Sequence, residues 1–184
     1  MRTRVRIALI APPYPLSEAP SPPLGLSYVA AACAAVGAEV VIFDYIVRRY
    51  TPERLRSDLD SFDPDVVGAT SVTMNFLSAA EIIREAKRHK PSVLTLMGGP
   101  HVSYDIEGTL RRFPEVDVVV FGEGEETLME FLPRIGEPGF APPPRAASPA
   151  PVTIPCPRVS RRDHHQPGVP QSVHLLFGAP NGRG

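Results

Sequence analysis

Cysteine is scarce in this chain of 184 residues, occurring only at Cys33 and Cys156. Two distant cysteines make neither a disulfide framework nor a metal site. Cys33 sits in an alanine-rich helical stretch and reads as a small core residue. Excess charge is lacking too: 19 lysines and arginines against 20 acids leave a net charge of −1. A nucleic-acid binder needs a broad basic face. The one basic cluster, Arg2, Arg4 and Arg6, alternates with Thr3 and Val5 into a first strand and reads as solvated flanking charge. Nucleic acid is therefore not an expected partner. No run is long and apolar enough to span a membrane, and the N-terminus lacks a signal peptide's apolar region and cleavage site. The expectation is a cytoplasmic protein without membrane contact. Two common nucleotide-binding loops are missing as well: no G-x-G-x-x-G follows the first strand, and there is no P-loop.

What is present is a strict alternation of strand and helix. Short β-branched-rich runs at 5–10, 39–44, 66–69, 93–97 and 118–121 suit strands buried on both faces of a parallel sheet. Between them lie helical patterns. One opens after Pro22-Pro23 and closes at Gly37; one starts at Thr51-Pro52-Glu53, a hydroxyl cap with proline at the first position. A third, over 75–90, carries Phe76, Ala79, Ala80, Ile83 and Ala86 at helical spacing. A short helix at 107–112 and a last one from Glu125 complete the set. This pattern predicts a doubly wound, flavodoxin-like α/β domain over residues 4–134, with five parallel strands in the order 2-1-3-4-5.

In such a sheet, ligands bind beyond the carboxyl ends of the strands. Three loops there are rich in small or hydroxyl-bearing residues: Thr70-Ser71-Val72-Thr73, Gly98-Gly99-Pro100-His101 and Gly122-Glu123-Gly124-Glu125. The hydroxyls of the first suit hydrogen bonds to a nucleotide or an amide-rich ligand; helix capping is the plainer use. Gly98-Gly99 lets backbone approach a ligand closely, or simply makes a tight turn. His101 is one imidazole, as suited to a polar loop as to a ligand contact. Glu125 and Glu126 favour the N-terminus of the helix that follows.

Taken together, four segments carry a resemblance that none has singly. They are 22–31 (Pro-Pro-Leu-Gly-Leu-Ser-Tyr-Val-Ala-Ala), 65–71 (Asp-Val-Val-Gly-Ala-Thr-Ser), 98–101 (Gly-Gly-Pro-His) and 122–128 (Gly-Glu-Gly-Glu-Glu-Thr-Leu). In this order and spacing they resemble the N-terminal cobalamin-binding domain of cobalamin-dependent radical S-adenosylmethionine enzymes. The resemblance implies cobalamin as the ligand, with Ser71, Val72 and Thr73 lining the slot for its nucleotide tail. Gly98 and Gly99 would pass beneath the corrin, with Pro13, His101, Gly122, Glu123, Gly124 and Glu125 nearby. Related cobalamin folds carry Asp-x-His-x-x-Gly after the first strand, which gives cobalt a lower histidine ligand. Here that loop reads Ala11-Pro12-Pro13-Tyr14-Pro15-Leu16, so the cobalt's lower face is expected to lack a protein imidazole. The resemblance also implies a methyltransferase-like parent. A [4Fe–4S] cluster and S-adenosylmethionine would occur only there, and its radical barrel would be this domain's natural partner. By itself the domain would hold cobalamin and catalyse nothing, since such chemistry belongs to the cofactors. Two other readings of the same fold stay open. A receiver-like signalling domain needs an aspartate where Thr70-Ser71 ends the third strand. A small flavin or nucleotide enzyme would use Ser71 and Thr73 to cradle phosphate.

Near Ile135 the composition changes. Residues 138–184 hold 11 of the 23 prolines and one acid, Asp163, and no apolar periodicity survives. Such a segment cannot offset its ordering entropy and is expected to be a disordered tail. Its codons offer a reason. Gln166 to Phe177, read one base later, permit Ser-Arg-Gly-Cys-Pro-Ser-Arg-Cys-Ile-Tyr-Cys. That string contains Cys-x-x-x-Cys-x-x-Cys, a set of thiolates of the kind that hold iron–sulfur clusters. Residues 135–184 are therefore expected to be an out-of-frame translation of the start of a radical S-adenosylmethionine domain. A genuine proline-rich tail is the alternative.

Overall fold

Five apolar runs form the strands of one parallel sheet in a computed structural model that describes residues 4–15 and 22–135, together with the backbone of 175–177. They are β1 (Arg6–Ala11), β2 (Glu39–Asp44), β3 (Val66–Thr70), β4 (Leu94–Gly98) and β5 (Val118–Val120). The order is β2-β1-β3-β4-β5, and Leu9 pairs with both Ile42 and Gly68, which in turn pairs with Leu96. This is the predicted flavodoxin-like arrangement. Val66 to Ala69 and Val118 to Val120 are buried throughout, as strands covered on both faces must be.

Helices α1 (Leu24–Ala35) and α6 (Gly124–Phe131), the latter followed by a 3-10 turn at Leu132–Arg134, cover one face of the sheet. Ile7, Leu9, Leu26, Cys33, Leu96 and Phe131 make that half of the core. On the other face lie α2 (Pro52–Phe62), α3 (Phe76–His89), α4 (Pro100–Tyr104) and α5 (Ile106–Arg112). There Ile10, Leu55, Ile82, Ile83, Met97 and Val119 interlock. Local signals set the helix ends. Thr51 accepts a hydrogen bond from the Arg54 N–H at 3.1 Å, with Pro52 at the first helical position. Gly37, at φ +87°, turns the chain out of α1. The end of α2 is tied to α3 through Lys90, whose ammonium reaches the Asp63 carboxylate and, at 2.7 Å, the Pro64 carbonyl.

Two expectations need correction. The segment after β4 holds two helices rather than one, because Asp105 interrupts it and accepts the Gly108 N–H at 3.0 Å, capping α5. Arg6 is no solvated flank: its guanidinium lies 4.5 Å over the Phe62 ring and pairs with Glu39 at 3.0 Å. An arginine stem buries readily while its plane stacks on an aromatic face. Beyond the five parallel strands, residues 175–177 of the last segment form β6 (Leu175–Phe177), antiparallel to β5 with Val119 opposite Leu176. An unpaired edge strand accepts any short apolar run of good β-propensity. The rest of that segment, from residue 136, lies outside the described residues, as do residues 16–21 of the first loop. Among the described residues, no helix is long and apolar enough to cross a membrane.

Candidate functional site

Parallel strands deliver their following loops to a common rim, so the chain leaving Ala11, Thr70, Gly98 and Val120 meets there. Hydrogen bonds join three of these loops. The loop after β1 reaches the loop after β3 through the Tyr14 hydroxyl, 3.5 Å from the Met74 sulfur. The loop after β3 is tied more firmly to the loop after β4. The Ser71 N–H and hydroxyl both donate to the Gly98 carbonyl, at 2.8 and 3.1 Å, and the His101 N–H donates to the Ser71 carbonyl at 3.2 Å.

These bonds redistribute the roles read from sequence. Ser71 is fully buried and its hydroxyl is committed to Gly98, so it joins two loops and faces no solvent. Val72 is half-buried and Thr73 exposed; the Thr73 hydroxyl lies 3.2 Å from His101 Nδ1. Gly99 has φ +101°, and a Cβ there would stand 2.4 Å from the Ser71 carbonyl oxygen. Its missing side chain is thus required by the adjoining loop. A Cβ on Gly98 would meet Val120 O at an ordinary 3.5 Å. Gly122, at φ +72°, faces open space, and Gly124 packs near Val29 and Val120. Glu123 is exposed and its carbonyl accepts the Thr127 hydroxyl at 3.1 Å; Glu125 is half-buried in the first turn of α6. Pro13 is half-buried on the β1 loop beside exposed Tyr14.

Three residues of the site were not singled out from sequence. Asn75, only 6% exposed, accepts the Val72 N–H through its side-chain oxygen at 2.9 Å and closes the 72–75 turn. Its signal was present, since asparagine is a preferred turn-closing residue. Tyr14 and Met74 present apolar surface on the rim, and neither follows any periodicity that marks it.

The rim offers a hydroxyl, backbone groups, a phenol and a thioether, flanked by apolar surface. Such a set can hydrogen-bond the border of a ligand and make apolar contact beside it. Among the described residues, no group of three or more His, Cys, Asp or Glu converges as a metal site. The sequence matches the B12 binding domain family over residues 17–132, most of the described domain. The chain belongs to the B12-binding domain family. As a B12-binding domain it is a cobalamin-binding module, and it is 36% identical over 116 residues to the "Uncharacterized methyltransferase PH0819" of Pyrococcus horikoshii, covering 63% of this chain and 25% of that protein. It is 28% identical over 120 residues to an anaerobic magnesium-protoporphyrin IX monomethyl ester cyclase of Rubrivivax gelatinosus, covering 65% and 22%. Its fold superposes on the radical S-adenosylmethionine methyltransferase TsrM from Kitasatospora setae, solved with cobalamin and a [4Fe–4S] cluster bound. The TM-score there is 0.65 at 23% identity, over 73% of this chain and 27% of that one. This B12-binding domain thus spans about a quarter of the length of these relatives.

Proposed function

We propose that this chain holds cobalamin for a radical S-adenosylmethionine protein of the methyl-transferring class. The observation that carries the reading is the family match over 17–132, which spans the domain whose loops converge on one rim. When bound, cobalamin would supply a cobalt centre able to carry a methyl group. The chain's own residues bind and orient it. Ser71, Gly98 and Gly99 weld the two central loops into a fixed floor, Thr73 and His101 offer polar atoms at its edge, and Tyr14 and Met74 lay apolar surface beside it. Val72, Pro13 and the loop from Gly122 through Glu123 and Gly124 to Glu125 complete the surround. The cobalt's lower face would meet no imidazole from the β1 loop, which has none.

The partner in this reading is a radical S-adenosylmethionine barrel. It would contribute the [4Fe–4S] cluster and S-adenosylmethionine, and the site of action would be the cytoplasm. The names of the relatives support this, and so does the codon pattern at 166–177. On that pattern, residues 135–184 are an out-of-frame reading of the barrel's first segment. The gene sequence tests this directly: cysteine codons one base on, overlapping Val169, Val173 and Leu176, are expected. Any other bases there end the idea. For the cofactor, purified protein mixed with hydroxocobalamin is expected to elute from gel filtration as a coloured species. A colourless protein peak at saturating ligand would refute the reading.

A further inference from the structure

We propose that His101 is a positioning residue that fixes the direction of the Thr73 hydroxyl, the two side chains acting on cobalamin as one hydrogen-bonding unit. The inference rests on the cobalamin reading above and assigns a division of labour within that site. A threonine hydroxyl on an exposed turn rotates freely, and a ligand that uses it must first stop that rotation. Here the rotation is already constrained, because Nδ1 of His101 stands 3.2 Å from the Thr73 Oγ1. The imidazole is itself held by a packed ring beneath it and by its own backbone. Its ring lies on Phe76, with centroids 4.0 Å apart and planes tilted by 34°. Phe76 is buried and braced edge-on by Phe113 at 5.2 Å. The backbone N–H of His101 donates to the Ser71 carbonyl at 3.2 Å, inside the weld between the two loops.

A ring so fixed works as a second shell behind a polar contact. If Nδ1 carries the proton it donates to Oγ1, and the Thr73 hydrogen is free to point to a ligand acceptor. If Nδ1 is bare, the hydroxyl donates to it and its lone pairs face a ligand donor. In both tautomers one side of the hydroxyl is spent on His101 and the other is presented outward. The amide groups around a corrin donate as well as accept, so either presentation has a partner.

The experiment is a double-mutant cycle on the full chain, read by hydroxocobalamin titration and by the absorption spectrum of the bound form. Thr73→Val and His101→Ala are each expected to weaken binding about threefold to tenfold, the range for one hydrogen bond. The double variant should be no weaker than the worse single one. His101→Asn, which keeps a polar atom near the Nδ1 position, should recover most of the loss. The bound spectrum should be the same in all. Multiplying penalties, wild-type affinity in His101→Ala, or a changed cobalt spectrum on losing the imidazole would each overturn the proposal. Thermal melting within a few degrees of wild type screens out misfolded variants. A second measurement needs no ligand: the ring-nitrogen NMR shifts of His101 should move in Thr73→Val. Failure of the wild type to bind hydroxocobalamin strikes the cobalamin reading, whereas unmoved His101 shifts strike this pairing.

Discussion

Gly99→Ala is expected to be the most damaging single-methyl change on the rim. Two independent costs meet at this residue. Its backbone, at φ +101° and ψ 173°, lies in a region essentially reserved for glycine, and holding an alanine there costs about 1–3 kcal/mol. The added Cβ would also stand 2.4 Å from Ser71 O, 2.8 Å from Ser71 N and 3.0 Å from Thr70 Oγ1. Two of those atoms are backbone and cannot rotate away, so the loops must part. Parting them loosens the two bonds from Ser71 to Gly98 O and the bond from His101 to Ser71 O, each worth roughly 1 kcal/mol net. With all three bonds lost the sum is on the order of 4–6 kcal/mol, or a fall in melting temperature on the order of 10–25 °C for a domain of this size. Gly98→Ala is the matched control, since its Cβ would make only ordinary contacts. Urea and thermal melts of both variants, with and without hydroxocobalamin, provide the assay. Equal stability of the two variants, or a Gly99→Ala protein as stable as wild type, would refute the reasoning. His101→Ala should cost less stability than Gly99→Ala, because it removes side-chain contacts and leaves the loop backbone unstrained.

Further outcomes are expected elsewhere in the fold. Glu85 is buried between Arg56, at 2.6 Å, and Arg88. Glu85→Ala should lower stability by about 1–3 kcal/mol in urea melts, and Glu85→Met by clearly less, because an apolar side chain of similar volume refills the space. The Asp105 carboxyl is held below its usual range, chiefly by the Arg112 guanidinium and also by the Gly108 N–H. Its contribution to stability is therefore present above the unfolded carboxylate value and lost as pH falls through the lower folded one. Asp105→Asn should flatten that acid limb in pH-dependent melts. Burial pushes the Cys33 thiol up to about 11. In a Cys156→Ser background, a thiol reagent at pH 8 should thus label the folded protein slowly and the unfolded chain rapidly.

The strands, their order and the rim were legible because each rests on signals local to a segment. Val66-Val67 and Val118-Val119-Val120 announce buried strands by composition, Thr51-Pro52 announces a helix start, and alternation with right-handed crossovers leaves little choice of order. The bonds across the rim were not legible. Nothing within residues 70–73 says that Ser71 will turn inward to Gly98 while Thr73 turns outward to His101, because that choice depends on a loop 27 residues away. Gly99 was recognisable as a residue that needs to be glycine, but not as one pressed against the Ser71 backbone. Arg6 was misread for the same reason. Its partners Phe62 and Glu39 arrive from other elements, and a charged residue at a strand's start looks solvated until they do.

The turn after β3 separates support from display. Ser71 and Asn75 point inward and are buried, whereas Val72 is half-buried and Thr73 and Met74 are exposed between them. A protein engineer can treat those three positions as a short rewritable word between two fixed letters. Libraries that vary 72–74 while keeping Ser71 and Asn75 should retain the scaffold and sample new ligand preferences. Libraries that also randomise the two anchors should yield mostly unfolded chains.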